Sequence, residues 1–258
     1  MKKFLIVCLF LMFSAGYVNS AVAEDTINNE YAKSIPVLIY HNVVKDSPKE
    51  LEITANHFEK QMSFLKEHNY KTLTLDELYD FVQGNKNFPD RSVMLTFDDG
   101  LKSHYTYVYP ILKRYGFTAV AFVVTSRIAS QEDGYFLDTE EIENSKDVFE
   151  YASHTHDLHG QTIVAGVTDF LVKSKEEVIE DLKTSFKYVD KKVLAYPPGV
   201  TCTQELRDIL KEIGIKMAFI GSVGNVYPHD PVYELKRMVI DDLTTDEQFM
   251  QIVGYQPD

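Results

Sequence analysis

Short apolar segments alternate along the chain with segments in which apolar residues recur every three or four positions. The apolar segments have the length of buried strands and cover residues 36–41, 92–97, 119–124, 149–153, 193–196, 217–220 and 234–240. The helical patterns cover residues 57–68, a helix opened by the capping sequence 74–77, and residues 104–115, 175–189, 206–213 and 246–253. Strands that alternate with helices predict an α/β fold with a parallel sheet.

Polar residues suited to chemistry collect where the predicted strands end. They are His41, Asp98, Asp99, His154, His159 and the turn Pro197-Pro198-Gly199. In a barrel of parallel strands, sites form where the strands end and the following loops begin. This shared position is stronger evidence for a site than any one of the residues alone.

The first 23 residues have the pattern of a secretory signal peptide. Lys2 and Lys3 precede a short apolar run, and Ala21-Val22-Ala23 is a small-residue cleavage sequence. The run is too short for a stable membrane span. We therefore predict a signal peptide at 1–23, a flexible lead-in at 24–34 and a single large domain at 35–258.

Charge and cysteine content exclude several classes of protein. The formal net charge is −13, and removal of Lys2 and Lys3 makes it −15. Such an acidic exported chain is a poor candidate for binding nucleic acid or an anionic membrane surface. No second hydrophobic span follows, so we expect no integral membrane span after cleavage. Cys202 is the only cysteine beyond residue 23, which leaves no intrachain disulfide.

Two adjacent carboxylates, Asp98 and Asp99, follow the predicted strand 92–97 and precede Gly100. Asp-Asp-Gly is also an ordinary turn sequence, and by itself it would favour that interpretation. Adjacent acids repel each other unless a cation or a proton is shared. Because neighbouring strand residues point to different sides, one acid can face a metal while the other faces a water molecule.

Three histidines, His154, His156 and His159, lie within six residues after the strand 149–153. One aspartate and two histidines would give a catalytic metal the three protein ligands and open position that it needs. This ligand set suits zinc, which we favour, but also cobalt, nickel or a non-haem iron. His156 could point into the substrate groove or to solvent, and we favour solvent. We expect the acidic face from Glu176 to Asp181 to face solvent as well.

The sequences Thr96-Phe-Asp-Asp-Gly100 and Ser153-His-Thr-x-x-x-His159 resemble the polysaccharide deacetylase superfamily, carbohydrate esterase family 4. Many members place the two ligand histidines four residues apart, whereas here Leu158 stands at that position. The sequence Val37-Leu-Ile-Tyr-His41 resembles a motif that most members carry near their end. Both departures are similar to the biofilm-associated deacetylases of poly-β-1,6-N-acetylglucosamine. This branch implies a distorted (β/α)7-type barrel, circularly permuted relative to most members.

The resemblance implies a role for each matching residue. Asp99, His154 and His159 would bind the metal, Asp98 would be the general base and His41 the general acid. The turn Tyr196-Pro197-Pro198-Gly199 would lie near the developing oxyanion. The arginine usual in that motif is absent, since Ala195 and Tyr196 stand where it is expected. Arg237 is our candidate replacement for tuning Asp98, with a surface salt bridge as the alternative.

We therefore predict a secreted or cell-surface, metal-dependent enzyme that removes N-acetyl groups from an N-acetylglucosamine-containing polysaccharide. Poly-β-1,6-N-acetylglucosamine is the leading substrate. A related deacetylase of peptidoglycan, chitin oligomers or acetylated xylan is one alternative, and a non-catalytic polysaccharide-binding protein on the same scaffold is another. The complete set of Asp98, Asp99, His154, His159 and His41 argues against the non-catalytic protein.

Overall fold

The computed structural model describes residues 31–129, 134–160 and 168–256. The strands are β1 (Val37–Tyr40), β2 (Asn42–Val44), β3 (Glu52–Thr54), β4 (Lys71–Thr72), β5 (Ser92–Phe97), β6 (Ala119–Val123), β7 (Phe149–Ser153), β8 (Lys191–Ala195), β9 (Met217–Phe219) and β10 (Met238–Val239). The predicted signal peptide at 1–23 lies outside the described residues.

The helices are α1 (Ala55–Glu67), α2 (Leu75–Val82), α3 (Tyr109–Tyr115), α4 (Thr125–Ala129), α5 (Thr139–Asn144), α6 (Asp169–Val172), α7 (Lys175–Ser185), α8 (Gln204–Glu212) and α9 (Asp246–Ile252). A π-helical turn, His104–Val108, leads into α3. Thr74 caps α2 in a reciprocal capping box with Glu77, as the sequence predicted. No helix in the described ranges has the length and apolarity to cross a membrane.

The main sheet is parallel and its strands follow the order β10-β1-β5-β6-β7-β8-β9, with β4 paired to β5. It curls into a half-barrel that carries helices. The segment before β10 approaches the opposite edge, because Leu235 forms a parallel bridge with Phe219 of β9. The stretch 235–239 therefore pairs with β9 at one end of the strand order and with β1 near the other end.

The strand predicted at 234–240 is wrong in its extent. Only Met238 and Val239 pair with β1, whereas Leu235 pairs with β9 and Arg237 donates its backbone N–H to Ser222 at 3.1 Å. The chain changes its hydrogen-bonding partner within this stretch, so a continuous ladder cannot form. The helix predicted at 175–189 ends earlier, at Ser185, and the chain continues in turns at 186–188.

Two faces of β5 explain how the sheet is packed. Val93, Leu95 and Phe97 belong to the apolar cluster formed with α1 and α3. Met94 belongs to a second cluster, which includes Phe122 and other residues of the neighbouring strands together with α2. Because strand side chains alternate, Thr96 and Asp98 continue the side occupied by Met94. Strand periodicity therefore directs the first acid into the barrel interior.

Residues 31–34, the last part of the predicted flexible lead-in, make contacts with the domain. Tyr31 forms an antiparallel bridge with Pro89, and Ala32 donates its N–H to Phe88 at 2.9 Å. Ala32 is buried, whereas the ring of Tyr31 is exposed. Residues 31 and 32 therefore pack against the segment 88–89 of the domain.

Candidate active site and metal centre

Asp98 lies inside the barrel and forms a bidentate ion pair with Arg237. The two guanidinium nitrogens of Arg237 donate to the two carboxylate oxygens at 2.7 and 2.8 Å. Both residues are 2% exposed. The guanidinium also lies over the rings of Phe122 and Phe219, at 5.4 and 5.9 Å from their centroids. Arg237 therefore occupies the interior, and the alternative of a surface salt bridge is wrong.

The charges around Asp98 keep its carboxyl group ionised. Burial raises its pKa, but the positive charge of Arg237 and the charges that His154 and His41 can carry oppose burial. Together with the hydrogen bonds from Arg237 they hold the pKa well below its usual range. A buried carboxylate with this partner stays deprotonated across the physiological range.

The turn after Asp98 requires unusual backbone geometry. Asp99 has φ of 75° and Gly100 has φ of 71°. Aspartate tolerates this left-handed region better than most residues. A Cβ at Gly100 would lie 2.4 Å from a side-chain carbon of Val123, so the position also needs the absence of a side chain. The turn sends Asp99 in a different direction from Asp98, as the two predicted roles require.

Asp99, His154 and His159 form a group with the composition of a metal site. Their candidate ligand atoms all lie within 4.8 Å of one another. The ring nitrogen Nδ1 of His154 donates to the carbonyl of Ala195 at 2.8 Å, which leaves Nε2 free as a ligand atom. In His159 it is likewise Nε2 that faces Asp99, at 3.5 Å from a carboxylate oxygen.

The two histidines are neutral near pH 7, which metal binding needs. Burial lowers the pKa of His154 well below its usual range. Burial, helped by the charge of Arg127, lowers the pKa of His159 to about 4. The 3.6 Å contact between His154 and Asp98 is therefore not a charged pair at neutral pH. Two neutral imidazoles and one carboxylate fit a divalent cation such as zinc.

The loop that carries the histidines is fixed from both sides. Thr125 and Ser126 donate backbone N–H groups to the carbonyls of Thr155 and His156, at 3.1 and 2.9 Å. On the other side, the carboxylate of Asp181 accepts the N–H groups of His156 and Asp157 at 2.8 and 2.7 Å. This bracing holds the five-residue spacing, in which Thr155 takes a φ of 73°.

His156 belongs to this bracing and lies outside the group of metal-ligand candidates. Its ring nitrogen Nδ1 is 2.9 Å from the hydroxyl of Thr125, and its ring stacks on Tyr188 at 5.8 Å. The side chain is half-buried, so the prediction of a simple solvent-facing residue is wrong. Its contacts are nevertheless those of a structural residue.

His41 reaches the site through strand register. Tyr40 of β1 is paired with Phe97 of β5, and Asp98 donates its N–H to the Tyr40 carbonyl at 3.0 Å. His41 and Asp98 are therefore the next residues on adjacent parallel strands. Nδ1 of His41 is buried and has no hydrogen-bond partner in the described part of the chain. The carbonyl of His41 accepts from Nε2 of His104 at 2.9 Å.

The turn Tyr196–Gly199 narrows the choice of an oxyanion donor. The N–H of Tyr196 donates to Phe219 at 3.0 Å, and Pro197 and Pro198 have no N–H. Gly199, with φ of 78°, carries the one N–H of these four residues that makes no hydrogen bond within the described ranges. If the turn serves an oxyanion directly, Gly199 is the donor.

Three residues near the site were not predicted from the sequence. Arg127 lies 3.7 Å from a carboxylate oxygen of Asp99 and over the ring of Phe136. Asp181 braces the histidine loop, which corrects the expectation that this part of α7 only faces solvent. His104 contacts the backbone of His41. The role of each residue depends on a contact with a distant segment of the chain. Only His104 had a signal in the sequence, because it is a single histidine at the start of an otherwise largely apolar helical pattern.

The parallel half-barrel, with its acids and histidines at the ends of neighbouring strands, is the architecture of a carbohydrate deacetylase. Residues 85–218 match the family described as polysaccharide deacetylase, and the chain belongs to this family. Among similar proteins, the poly-β-1,6-N-acetyl-D-glucosamine N-deacetylase of Staphylococcus aureus is 31% identical over 235 residues, which cover 87% of this chain and 80% of that protein.

Two solved structures share the fold. The Streptococcus pyogenes deacetylase PplD in complex with acetate aligns with a TM-score of 0.74 at 24% identity, over 87% of this chain and 99% of that one. IcaB from Ammonifex degensii aligns with a TM-score of 0.75 at 23% identity, over 86% and 97%. These likenesses confirm the predicted barrel-type fold. The circular permutation stays a prediction.

Proposed function

We propose that this polysaccharide deacetylase is a metal-dependent N-deacetylase that acts outside the cytoplasm on poly-β-1,6-N-acetylglucosamine. The observation that carries the proposal is the pairing of two sites across one turn. Asp99 lies with His154 and His159 in a possible metal site, while Asp98 is held ionised beside them by Arg237. The choice of polymer is supported by the name of the Staphylococcus aureus relative. The export is supported by the sequence pattern of residues 1–23.

Asp99, His154 and His159 would hold the metal, for which zinc is our choice. When bound, a divalent metal supplies a Lewis acid for the acetyl carbonyl and lowers the pKa of a bound water from about 15.7 to about 7. The structural reasons for the fit are the neutral imidazoles and the Ala195 carbonyl, which fixes His154 with Nε2 free.

Asp98 would accept the proton of the attacking water. Its carboxylate oxygens are oriented by Arg237, so the group is ionised and in place before substrate arrives. The same pairing makes Asp98 a weaker base than an unpaired buried carboxylate would be. The N–H of Gly199 would donate a hydrogen bond to the developing oxyanion.

His41 would deliver a proton to the departing amine. An amine leaves from a tetrahedral carbon only when its nitrogen is protonated, so this step needs an acid. His41 follows β1 at the level at which Asp98 follows β5. The acid and the base would thus come from neighbouring strands.

The test is acetate release from defined oligosaccharides by the purified protein. The panel contains β-1,6-linked N-acetylglucosamine oligomers, chitin oligomers, peptidoglycan fragments and acetylated xylan, each with and without a chelator and with zinc, cobalt or nickel restored. We expect release from the β-1,6-linked oligomers, abolished by the chelator and restored by metal. Preference for another polymer would correct the substrate. Sugar binding with no acetate release under any metal would instead support the non-catalytic protein.

A further inference from the structure

His104 is a fully buried histidine that has no role in the proposed reaction. It begins the π-helical turn that follows the Asp98-Asp99 loop and has no exposed surface. Its Nε2 is 2.9 Å from the carbonyl oxygen of His41, 63 residues earlier in the chain. A carbonyl only accepts, so Nε2 carries the hydrogen and the ring is a donor at this position.

The contacts of His104 join the two strands that would supply the acid and the base. Its ring packs edge-on against Phe97, with 5.4 Å between centroids, and Phe97 directly precedes Asp98. The neighbouring Ser103 accepts the N–H of Val43 at 3.3 Å. Residues 103 and 104 therefore hold the backbone on both sides of Asn42, immediately after the imidazole of His41.

The local helix geometry presents His104 in this way. Tyr109 donates its N–H to the carbonyl of His104, five residues earlier, which defines the π turn. Pro110 follows and has no N–H to return to residue 106, so the regular α-helical ladder cannot run through this point. Wide turns of this kind occur often at functional sites.

A histidine at position 104 is unfavourable for folding unless its hydrogen bond offsets the burial, because part of its ring is buried without a polar partner. Nδ1 of His104 is buried without a hydrogen-bond partner in the described part of the chain. Burial also lowers the pKa of His104 to about 4, so the ring is neutral at pH 7. An apolar residue would avoid an unpaired buried nitrogen. The hydrogen bond to His41 is the polar contact that a leucine or methionine could not make.

We propose that His104 is a positioning residue for the general acid: it fixes the main chain of His41 so that the imidazole stands at the leaving nitrogen. The inference rests on the proposed function, in which His41 protonates the amine. Misplacing a catalytic group by about 1 Å can cost roughly 10²-fold in rate, so a single backbone contact can have a large effect.

The experiment compares His104→Met, which removes the donor, with His104→Gln, whose amide nitrogen can take the place of Nε2. Each variant is assayed on a β-1,6-linked N-acetylglucosamine oligomer and on nitrophenyl acetate, an activated ester that does not need the acid. We expect His104→Met to lower kcat on the amide by about 10- to 10²-fold, with KM and metal content unchanged and the ester rate much less affected. His104→Gln should recover most of the loss.

A matched control is His68→Met. His68 also donates from its ring to a backbone carbonyl, that of Phe64 at 2.9 Å, but at the end of α1. This variant should leave the ratio of amide to ester rates unchanged. If His104→Met does not fold, His104→Asn replaces it, because the shorter amide stands where Nδ1 stood and cannot reach the carbonyl of His41.

An unchanged amide-to-ester ratio in His104→Met, or in His104→Asn, would overturn the inference, and so would an equal loss in His104→Gln. The proposed function is tested separately by His41→Ala in the same assays. If His41→Ala lowers the ratio and the His104 variants do not, only the positioning role fails. If His41→Ala leaves the ratio unchanged, the assigned role of His41 fails as well.

Discussion

The site is assembled from two regions of the chain that differ in kind. The region within 85–218, which matches the family, contains the candidate metal ligands and Asp98. The regions outside that match supply His41 and Arg237. The first group comes from short spacings on β5 and β7. The second group depends on the order of strands, because His41 and Arg237 meet Asp98 only through β1 and the segment before β10.

This difference suggests that the two regions would have separate functions. Metal binding would belong to the matched region, and control of protons would depend on the flanking regions. If so, variants of the first group should lose metal, whereas variants of the second should keep metal and change the proton-transfer steps.

Asp99→Asn should lose metal and activity together, because a neutral amide is a poorer ligand than a carboxylate. The loss should exceed the roughly 10²–10⁴-fold typical of a missing acid–base group. Metal content of the purified variant and acetate release are the measurements. Asp157→Asn is the control, since Asp157 is an exposed aspartate in the loop that carries the two candidate histidine ligands. Normal metal content in Asp99→Asn would contradict the assignment of Asp99 as a metal ligand.

Asp98→Asn should keep its metal and lose about 10²–10⁴-fold in turnover, because only the base is removed. The pair Asp98 and Asp99 therefore separates the two functions within two adjacent residues. Metal analysis and kcat on the amide substrate measure this. Equal metal loss in both aspartate variants would mean that the two acids share the metal and that their roles are misassigned.

His41→Ala should fold, keep its metal and lose about 10²–10⁴-fold on the amide substrate. The loss on nitrophenyl acetate should be smaller, because that leaving group departs without a proton. The two rates are measured on one preparation with its metal content known. Equal losses on both substrates, or no loss, would remove His41 from the role of general acid.

Arg237→Met should shift the acidic limb of the pH–rate profile upward by about 1–3 units. Arg237 lowers the pKa of Asp98, so its loss lets burial raise that pKa and protonate the base at higher pH. Metal content should stay normal. The matched control is Arg207→Met, which removes a half-exposed pair with Glu234. An unshifted profile would show that Arg237 does not tune the base.

The same variant should be less stable, since it leaves a buried carboxylate unpaired at a cost of about 3–5 kcal/mol. The folded-state pKa of Asp98 is depressed, so the pair stabilises the wild-type fold above the ordinary carboxyl pKa of about 4. That contribution is lost as pH falls towards the depressed value. Denaturant unfolding at pH 7 and pH 3 should therefore show a smaller difference between the two proteins at the lower pH.

The smallest effect is expected from His156→Ala, which should retain metal while His154→Ala and His159→Ala lose it. His156 bonds to Thr125 and stacks on Tyr188, so its loss should reduce stability by about 1 kcal/mol and leave the metal site intact. Metal content of the three variants decides. Loss of metal from His156→Ala with retention in His159→Ala would reverse the assignment.

The sequence by itself determined the strands of the barrel and the residue types of the site. Apolar segments long enough to be buried identified seven strands, and the capping sequence at Thr74 identified the start of α2. It missed β2 to β4 and the short helices α4 to α6, because segments of two to six residues carry too little periodicity to stand out.

The tertiary structure decided which residues meet. The sequence was compatible with Arg237 either on the surface or in the interior. In the structure it is buried, because the chain passes from β9 to β1 at this point and places the guanidinium over Phe122 and Phe219. Asp181 and His104 gained their contacts from segments 24 to 63 residues away. Local pattern fixes strands and spacings because it acts between near neighbours, whereas partners across the barrel depend on strand order and register.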